Sequence, residues 1–281
     1  MVVCRTIKEI RAFVSEARAE RASIGFVPTM GYFHEGHLSL MRRARSENDA
    51  LVISIFVNPM QFGPGEDFAQ YPRDIQRDLA LAEKVEVDAA FTPDASEMYP
   101  EGYCTYIEVE GLSDKLCGRF RPGHFKGVAT VVLKLFNIVQ PDRAYFGQKD
   151  AQQLRVIQRM VEDLNLPVYV VPVPTVREPD GLAMSSRNVY LDSEERRAAL
   201  VLSRSLLEAR RAIEAGELDA RKIVDLVRRM IQSEPLVHLE YVEACRFEDL
   251  EPVEVISGKV LLALAARVGK ARLIDNIIIS H

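Results

Sequence analysis

Two apolar runs set the architecture of the first half of the chain. Ile24–Val27 and Ala50–Val57 are short, continuous and rich in β-branched residues. Runs of that kind predict strands buried on both faces, as in a parallel sheet. Between them, Leu38, Leu40 and Met41 alternate with Arg42, Arg43 and Arg45, the pattern of an amphipathic helix. Strand, helix and strand in that order predict a right-handed βαβ unit, with ligands bound at the carboxyl ends of the strands. Pro28 has no N–H to give a ladder, so the first strand is expected to stop there. Upstream, Thr6 and Glu9 have capping-box spacing, and Ile7, Ile10, Phe13, Val14 and Ala17 line one side of the helix they open.

The same reading continues downstream. Asp74 caps a helix running to about Lys84, and Asp88–Phe91 is a third strand. Tyr106–Val109 is a small strand, and Val128–Val139 is a helix apolar almost all round, hence deeply buried. Strands follow at Arg143–Phe146 and Val168–Val173, with a helix between them after Gly147-Gln148-Lys149-Asp150. At Val176 the character changes. A polar, turn-rich stretch leads into helices at Ser193–Glu214 and Asp219–Ser233, then strands at Leu239–Cys245, Val260–Ala265 and Leu273–Ile279. The chain therefore divides into a Rossmann-like α/β domain over 1–175 and a smaller α+β domain over 176–281, expected to cover the first as a lid.

Composition narrows the partners. A net charge of −5 argues against a general binder of nucleic acid or anionic membrane. Four scattered cysteines with no CxxC pair suit reduced thiols in the cytoplasm. The start of the chain has no signal-peptide core, and no C-terminal apolar run approaches the ~20 residues needed to span a bilayer.

The chemistry concentrates at the first strand-to-helix turn, Met30-Gly31-Tyr32-Phe33-His34-Glu35-Gly36-His37. A helix start offers free N–H groups and the positive end of the dipole, a ready anion site. His34 and His37 are three apart and share a face. A zincin requires H-E-x-x-H, and this spacing is one residue short. Two capping histidines are the bland reading. Gly36 between them shifts the balance, because a base or ribose can approach the bare backbone. The tetrapeptide matches the HxGH signature of adenylyl-transferring α/β enzymes, which include class I tRNA synthetases and small nucleotidylyltransferases.

Three further segments are expected at the same sheet edge: Phe56–Phe62, Tyr145–Leu154 and Gly181–Asn188. With YPRD, MYP, RPGHFKGVATVVLKL and PDRAYFGQKD, the set resembles the pantothenate synthetase (pantoate–β-alanine ligase) family along essentially the whole chain. The resemblance implies ATP-dependent condensation of pantoate with β-alanine through a pantoyl adenylate, releasing AMP and pyrophosphate. It implies His37 as proton donor, with His34 and Lys149 beside it as catalytic residues. It places ATP on Met30–His37, Gly147–Asp150, Val176 and Met184-Ser185-Ser186-Arg187, with pantoate on Gln61 and Gln153 and β-alanine on Gln61. Met30, Val131 and Val132 offer an apolar patch for pantoate's geminal methyl groups, and Arg121 and His124 offer charge for a carboxylate or phosphate. Mg²⁺ is implied as the partner of ATP, held mostly by phosphates and water, and Asp78 is the side chain aligned with a metal-ligating position. A homodimer is implied as well. Tyr32-Phe33, Arg77, Leu81 and Cys117 depart from the usual pattern. A nucleotidylyltransferase, a tRNA synthetase and a silent nucleotide sensor are the rival readings; Gln61 and Gln153 oppose the first, the short acidic chain the second, and the full His, Lys and Ser-Ser-Arg set the third.

Overall fold

A computed structural model describes all of residues 1–281. Six strands form one parallel sheet in the order β1-β4-β3-β2-β5-β6: Val2–Cys4, Ala89–Phe91, Ala50–Ile55, Ile24–Thr29, Arg143–Gly147 and Tyr169–Val173. The helices threading it are α1 (Ile7–Ala19), α2 (Glu35–Glu47), α3 (Ile75–Lys84), the short α4 (Ala95–Met98) and α5 (Leu116–Phe120), α6 (His124–Val139) and α7 (Ala151–Asp163). Strand order reverses at β2, which pairs with β3 on one side and β5 on the other. A crevice at that switch point is where open α/β sheets bind ligands.

Local chemistry accounts for these elements. Thr6 Oγ1 accepts from Glu9 N and the Glu9 carboxylate accepts from Thr6 N, closing the capping box of α1. Asp74 caps α3 through Arg77 N. Of the sixteen residues in α6, eleven are buried, as its apolar sequence requires.

Several elements differ from what their sequences predict. β2 continues through Pro28 to Thr29. Odd residues of β2 face β3, since Thr29 O accepts from Phe56 N, whereas even ones face β5, since Ile24 O accepts from Asp142 N. Pro28 therefore points its missing N–H to the β5 side, where pairing has stopped at Phe26, and no ladder bond is lost. Tyr106–Val109 is not a strand. Its Ile107 N–H donates to Thr130 Oγ1 on α6, so a side chain takes the place of a ladder partner. β1 was not anticipated, and at three residues it is too short for an alternation to be read. The helix expected over Ser193–Glu214 is two, α8 (Ser193–Ala198) and α9 (Leu200–Glu214), meeting at Ala199.

After α10 (Ala220–Gln232), strands β7 (Val237–Arg246), β8 (Lys259–Val268) and β9 (Ala271–Ser280) make an antiparallel sheet. Its side chains alternate. Leu261, Ala263 and Ala265 join the core built on α6 and α7, while Leu262, Leu264 and Ala266 pack with α9 and α10. The apolar core is thus continuous across the change of character at Val176.

Candidate active site

The turn between β2 and α2 builds the centre of the site. His34 is the N-cap of α2, and its Nδ1 accepts from Gly36 N at 3.1 Å. His37 Nδ1 accepts in return from His34 N at 3.3 Å. This is a capping box made of two imidazoles, with ring centroids 4.1 Å apart. A nitrogen that accepts carries no proton, so in each neutral ring the proton is on Nε2. Burial pushes His34 down to about 4, and the cations of Lys149 and Arg77 add to it against Asp150. Burial lowers His37 well below the ordinary range, with His34 and Lys149 contributing. Both rings are therefore neutral at pH 7, each with an Nε2–H available as donor. Gly36 also serves the turn itself. A Cβ there would lie 2.8 Å from His34 Cε1, so the glycine makes room for the ring that caps the helix.

These groups face a cavity of about 220 Å³ at the switch point. Met30, Val131, Val132 and Leu135 supply an apolar wall, and Gln61, Gln153 and Asn58 supply amides. Gln61 is buried, with its amide between Met30 Sδ at 3.0 Å and Asn58 Nδ2 at 3.2 Å. Lys149 reaches the cavity from the 3₁₀ turn Gln148–Asp150 and has no ion pair or side-chain hydrogen bond. Val176 and Met184 are joined by the Met184 N–H to Val176 O bond, which brings Ser185, Ser186 and Arg187 to the same space. A second cavity of about 250 Å³ lies between α5, α7 and the antiparallel sheet, and shares Lys149, Asp150, Gln153, Ser185 and Arg187 with the first. His34 and His37 open only into the first, which makes it the candidate active site.

Several expected residues stand elsewhere. Phe33 is fully buried among β2, α2 and β3 side chains, Tyr32 lies under the Arg77 guanidinium, and Glu35 pairs with Arg42. Gly31, Tyr32, Phe33, Glu35 and Gln148 do not line the cavity with side chains. Gly181–Asn188 is not a strand end; it follows β6 through a bridge between Arg177 and Ala183. Arg121 and His124 face the second cavity, where both contact Gln61 O and Arg121 pairs with Glu66.

Asp78, the expected metal-ligand candidate, is taken up by backbone in this structure. Its oxygens accept from Tyr32 N at 2.6 Å and Phe33 N at 2.7 Å, its side chain is buried, and it lines neither cavity. No cluster of three His, Cys, Asp or Glu side chains exists that could hold a metal ion. The departures at Tyr32 and Arg77 explain each other, because the guanidinium covers the ring at 5.2 Å and donates to Phe33 O at 2.9 Å. Cys117 Sγ accepts from Arg272, whose carboxylate partner is Glu240.

Two positioning residues escaped the sequence reading. Asn276 Nδ2 donates to Gln148 O and Lys149 O, and Asp275 holds Arg177 through two bonds at 2.7 and 2.9 Å. The available signal was an Asp-Asn pair inside the otherwise apolar run Leu273–Ile279.

A parallel sheet with an HxGH turn, an unpaired lysine and a Ser-Ser-Arg segment around its switch point is the arrangement of a nucleotide-binding α/β protein, with its ligand at the carboxyl ends of the strands. The family model described as pantoate-beta-alanine ligase matches residues 2–278. The pantothenate synthetase of Pelotomaculum thermopropionicum is 64% identical over 281 residues, covering 100% of both chains. That of Heliobacterium modesticaldum is 60% identical over 279 residues, 99% of each. Among solved structures, pantothenate synthetase from Thermus thermophilus superposes with a TM-score of 0.94 at 49% identity, covering 99% of both chains. Pantoate-beta-alanine ligase from Francisella tularensis, complexed with beta-gamma ATP and beta-alanine, gives a TM-score of 0.81 at 33% identity, covering 99% of this chain and 97% of that one. The chain belongs to the pantoate–β-alanine ligase family, whose members join pantoate and β-alanine to make pantothenate.

Proposed function

We propose that this chain condenses pantoate with β-alanine in two steps within the 220 Å³ cavity. The observation that carries the reading is the pair of neutral Nε2–H donors next to the unpaired Lys149 ammonium. In the first step a pantoate carboxylate oxygen attacks the α-phosphorus of ATP. A P–O bond to the β-phosphate breaks, and pyrophosphate leaves with that electron pair. His34 and His37, through their Nε2–H groups, and Lys149 give hydrogen bonds to the oxygens where negative charge grows, with His37 as the donor to the phosphate chain. Ser185, Ser186 and Arg187 grip the outer phosphates, and Arg187 suits a bidentate hold. In the second step the β-alanine amine attacks the acyl carbon, and AMP leaves with the C–O pair while the amine gives up its proton.

Gln61 and Gln153 hydrogen-bond pantoate's hydroxyls and carboxylate, while Met30, Val131 and Val132 meet its methyl groups; Gln61 then also receives β-alanine. Mg²⁺ accompanies ATP as the counter-ion of its phosphates. No group of three His, Cys, Asp or Glu side chains is placed to hold a metal ion, and an ion carried by the phosphates and water needs none. Residues 1–175 supply the nucleotide and pantoate contacts, and 176–281 contribute the Met184–Arg187 segment and the cover. Four free thiols suit the reducing cytoplasm. A homodimer is the assembly this reading takes over from the family. The test is ATP–pyrophosphate exchange with Mg²⁺ and pantoate, with and without β-alanine. Exchange with pantoate alone is expected; a strict need for β-alanine would overturn the two-step order.

A further inference from the structure

We propose that Asp78 is a positioning residue that fixes the aim of His34 and His37 from outside the cavity, touching neither ATP nor a metal ion. The proposal rests on the adenylating reading of the site. The peptide just before the histidines needs an external hold. Gly31 has φ +83° and Tyr32 has φ +51°, a left-handed pair that a tyrosine rarely adopts. In that conformation the successive N–H groups of Tyr32 and Phe33 point the same way, forming a small anion cradle. Asp78 fills it with one carboxylate oxygen per N–H, at 2.6 and 2.7 Å.

The hold is built on three sides. α3 delivers Asp78 beneath the turn and Arg77 beside it, where Arg77 donates to Phe33 O and covers the Tyr32 ring. The Phe33 side chain is locked in the core, with its ring 5.5 Å from that of His37. The next residue is His34, the N-cap whose ring must keep Nδ1 on Gly36 N to leave Nε2–H free. A shift of this turn thus changes the direction of both donors. Burial raises the Asp78 carboxyl and the two peptide donors oppose that rise, which matches a carboxylate enclosed by backbone. Each Asp78 oxygen already accepts from a peptide N–H, and the side chain is buried and lines neither cavity, so the carboxylate is directed at the backbone of the turn.

The test separates aim from metal ligation. Asp78→Asn keeps the side chain's size but presents an NH₂ to one of the two N–H donors. Single-turnover adenylate formation at saturating ATP should fall on the order of 100-fold, the scale of a misplacement of about 1 Å. The Mg²⁺ concentration for half-maximal rate and the pantoate KM should stay at parent values. Imidazole ¹⁵N spectra should show the Nε2–H tautomer of His34 and His37 in the parent and mixed tautomers in the variant, a readout that needs no turnover. A parent-like rate, or a rate restored by raising Mg²⁺ tenfold, would overturn the proposal. If the variant does not fold, the parent's crystal structure with Mg²⁺ and a non-hydrolysable ATP analogue decides. Asp78 still on Tyr32 N and Phe33 N supports the proposal, and an Asp78 oxygen within ~2.1 Å of the metal overturns it. Exchange by the parent, measured alongside, tests the adenylating reading itself.

Discussion

β8 and β9 pair at ten successive positions, from Lys259 with Ser280 to Val268 with Ala271, and the side chains of β8 alternate between two apolar cores. At the carboxyl ends of β2, β3 and β5 the ladder stops instead. Left-handed residues, 3₁₀ turns and imidazole caps take over. Where strands pair completely, peptide groups are consumed and side chains go into cores. Where pairing stops, N–H groups and side chains are left to face a ligand. The two regions meet at Asp275 and Asn276, polar residues in β9 that tether Arg177 and the Lys149 turn. The regular sheet thus supports the irregular edge.

The largest expected effect lies on the regular side. Leu262 is fully buried in the core of β8, α9 and α10. Leu262→Ala should cost about 2–5 kcal/mol in stability through lost burial and a cavity. Denaturant unfolding measures it, and the KM values for ATP and pantoate should not move below the transition. Altered KM values would show that this core tunes the site. Lys149→Ala should do the reverse. It removes a preorganised donor aimed at developing charge, worth about 2.7–4 kcal/mol, or roughly 10²–10³-fold in adenylate formation. Thermal unfolding should stay at the parent value. Amide formation from supplied pantoyl adenylate should suffer less, since no pyrophosphate has to leave. Near-parent adenylate formation would remove Lys149 from the mechanism.

The same division governs what the sequence discloses. The buried strands at Ile24 and Ala50, the helix α6 and the capping box at Thr6 follow from period and composition, because each depends on its own residues. His34, His37, Gln61, Gln153 and Lys149 could be singled out as chemistry-bearing types at strand ends, and the structure brings them to one cavity. Nothing local discloses that both imidazoles spend Nδ1 on backbone, or that Asp78 fills a peptide cradle 45 and 46 residues away in sequence. Those bonds join elements that only the fold brings together. Tyr32 and Arg77 look like separate departures in sequence and are one contact in space.

A smaller effect tests the amides at the irregular edge. Gln61→Ala and Gln153→Ala should each weaken pantoate binding by about 1–3 kcal/mol, leaving a substrate polar group without its partner. The pantoate KM should rise while the ATP KM changes little. Equal losses for both substrates would move these residues out of the pantoate subsite. The Gln61 change carries an added consequence, since its Oε1 is a partner of Asn58 Nδ2, so a modest loss of stability is expected there and not at Gln153.

The smallest expected effect concerns the loop before α3. Asp67 holds Arg187 through two bonds, Nε to Oδ2 at 2.8 Å and Nη2 to Oδ1 at 2.9 Å. Arg187 is the forked cation of the Ser-Ser-Arg segment, and a carboxylate now occupies the face that a phosphate would take. Burial works against the Asp67 charge, but the Arg187 contact outweighs it and keeps the carboxyl below its ordinary range. ATP must therefore displace a partner already in place. Both side chains keep about a quarter of their exposure, so solvent screens the pair in part and re-solvates Asp67 on release, which leaves ATP a net cost on the order of 1 kcal/mol. Asp67→Asn removes the charge while keeping the shape. The ATP KM should fall, by up to roughly fivefold given that 1.4 kcal/mol is tenfold. The pantoate KM should be unchanged, and the gain should shrink at high salt, which screens such a pair in the parent as well. Tyr190 Oη donates to Gln70 O, so the loop retains a second attachment and should not come loose. A rise in the ATP KM would mean that Asp67 orients Arg187 for the phosphates instead of competing with them.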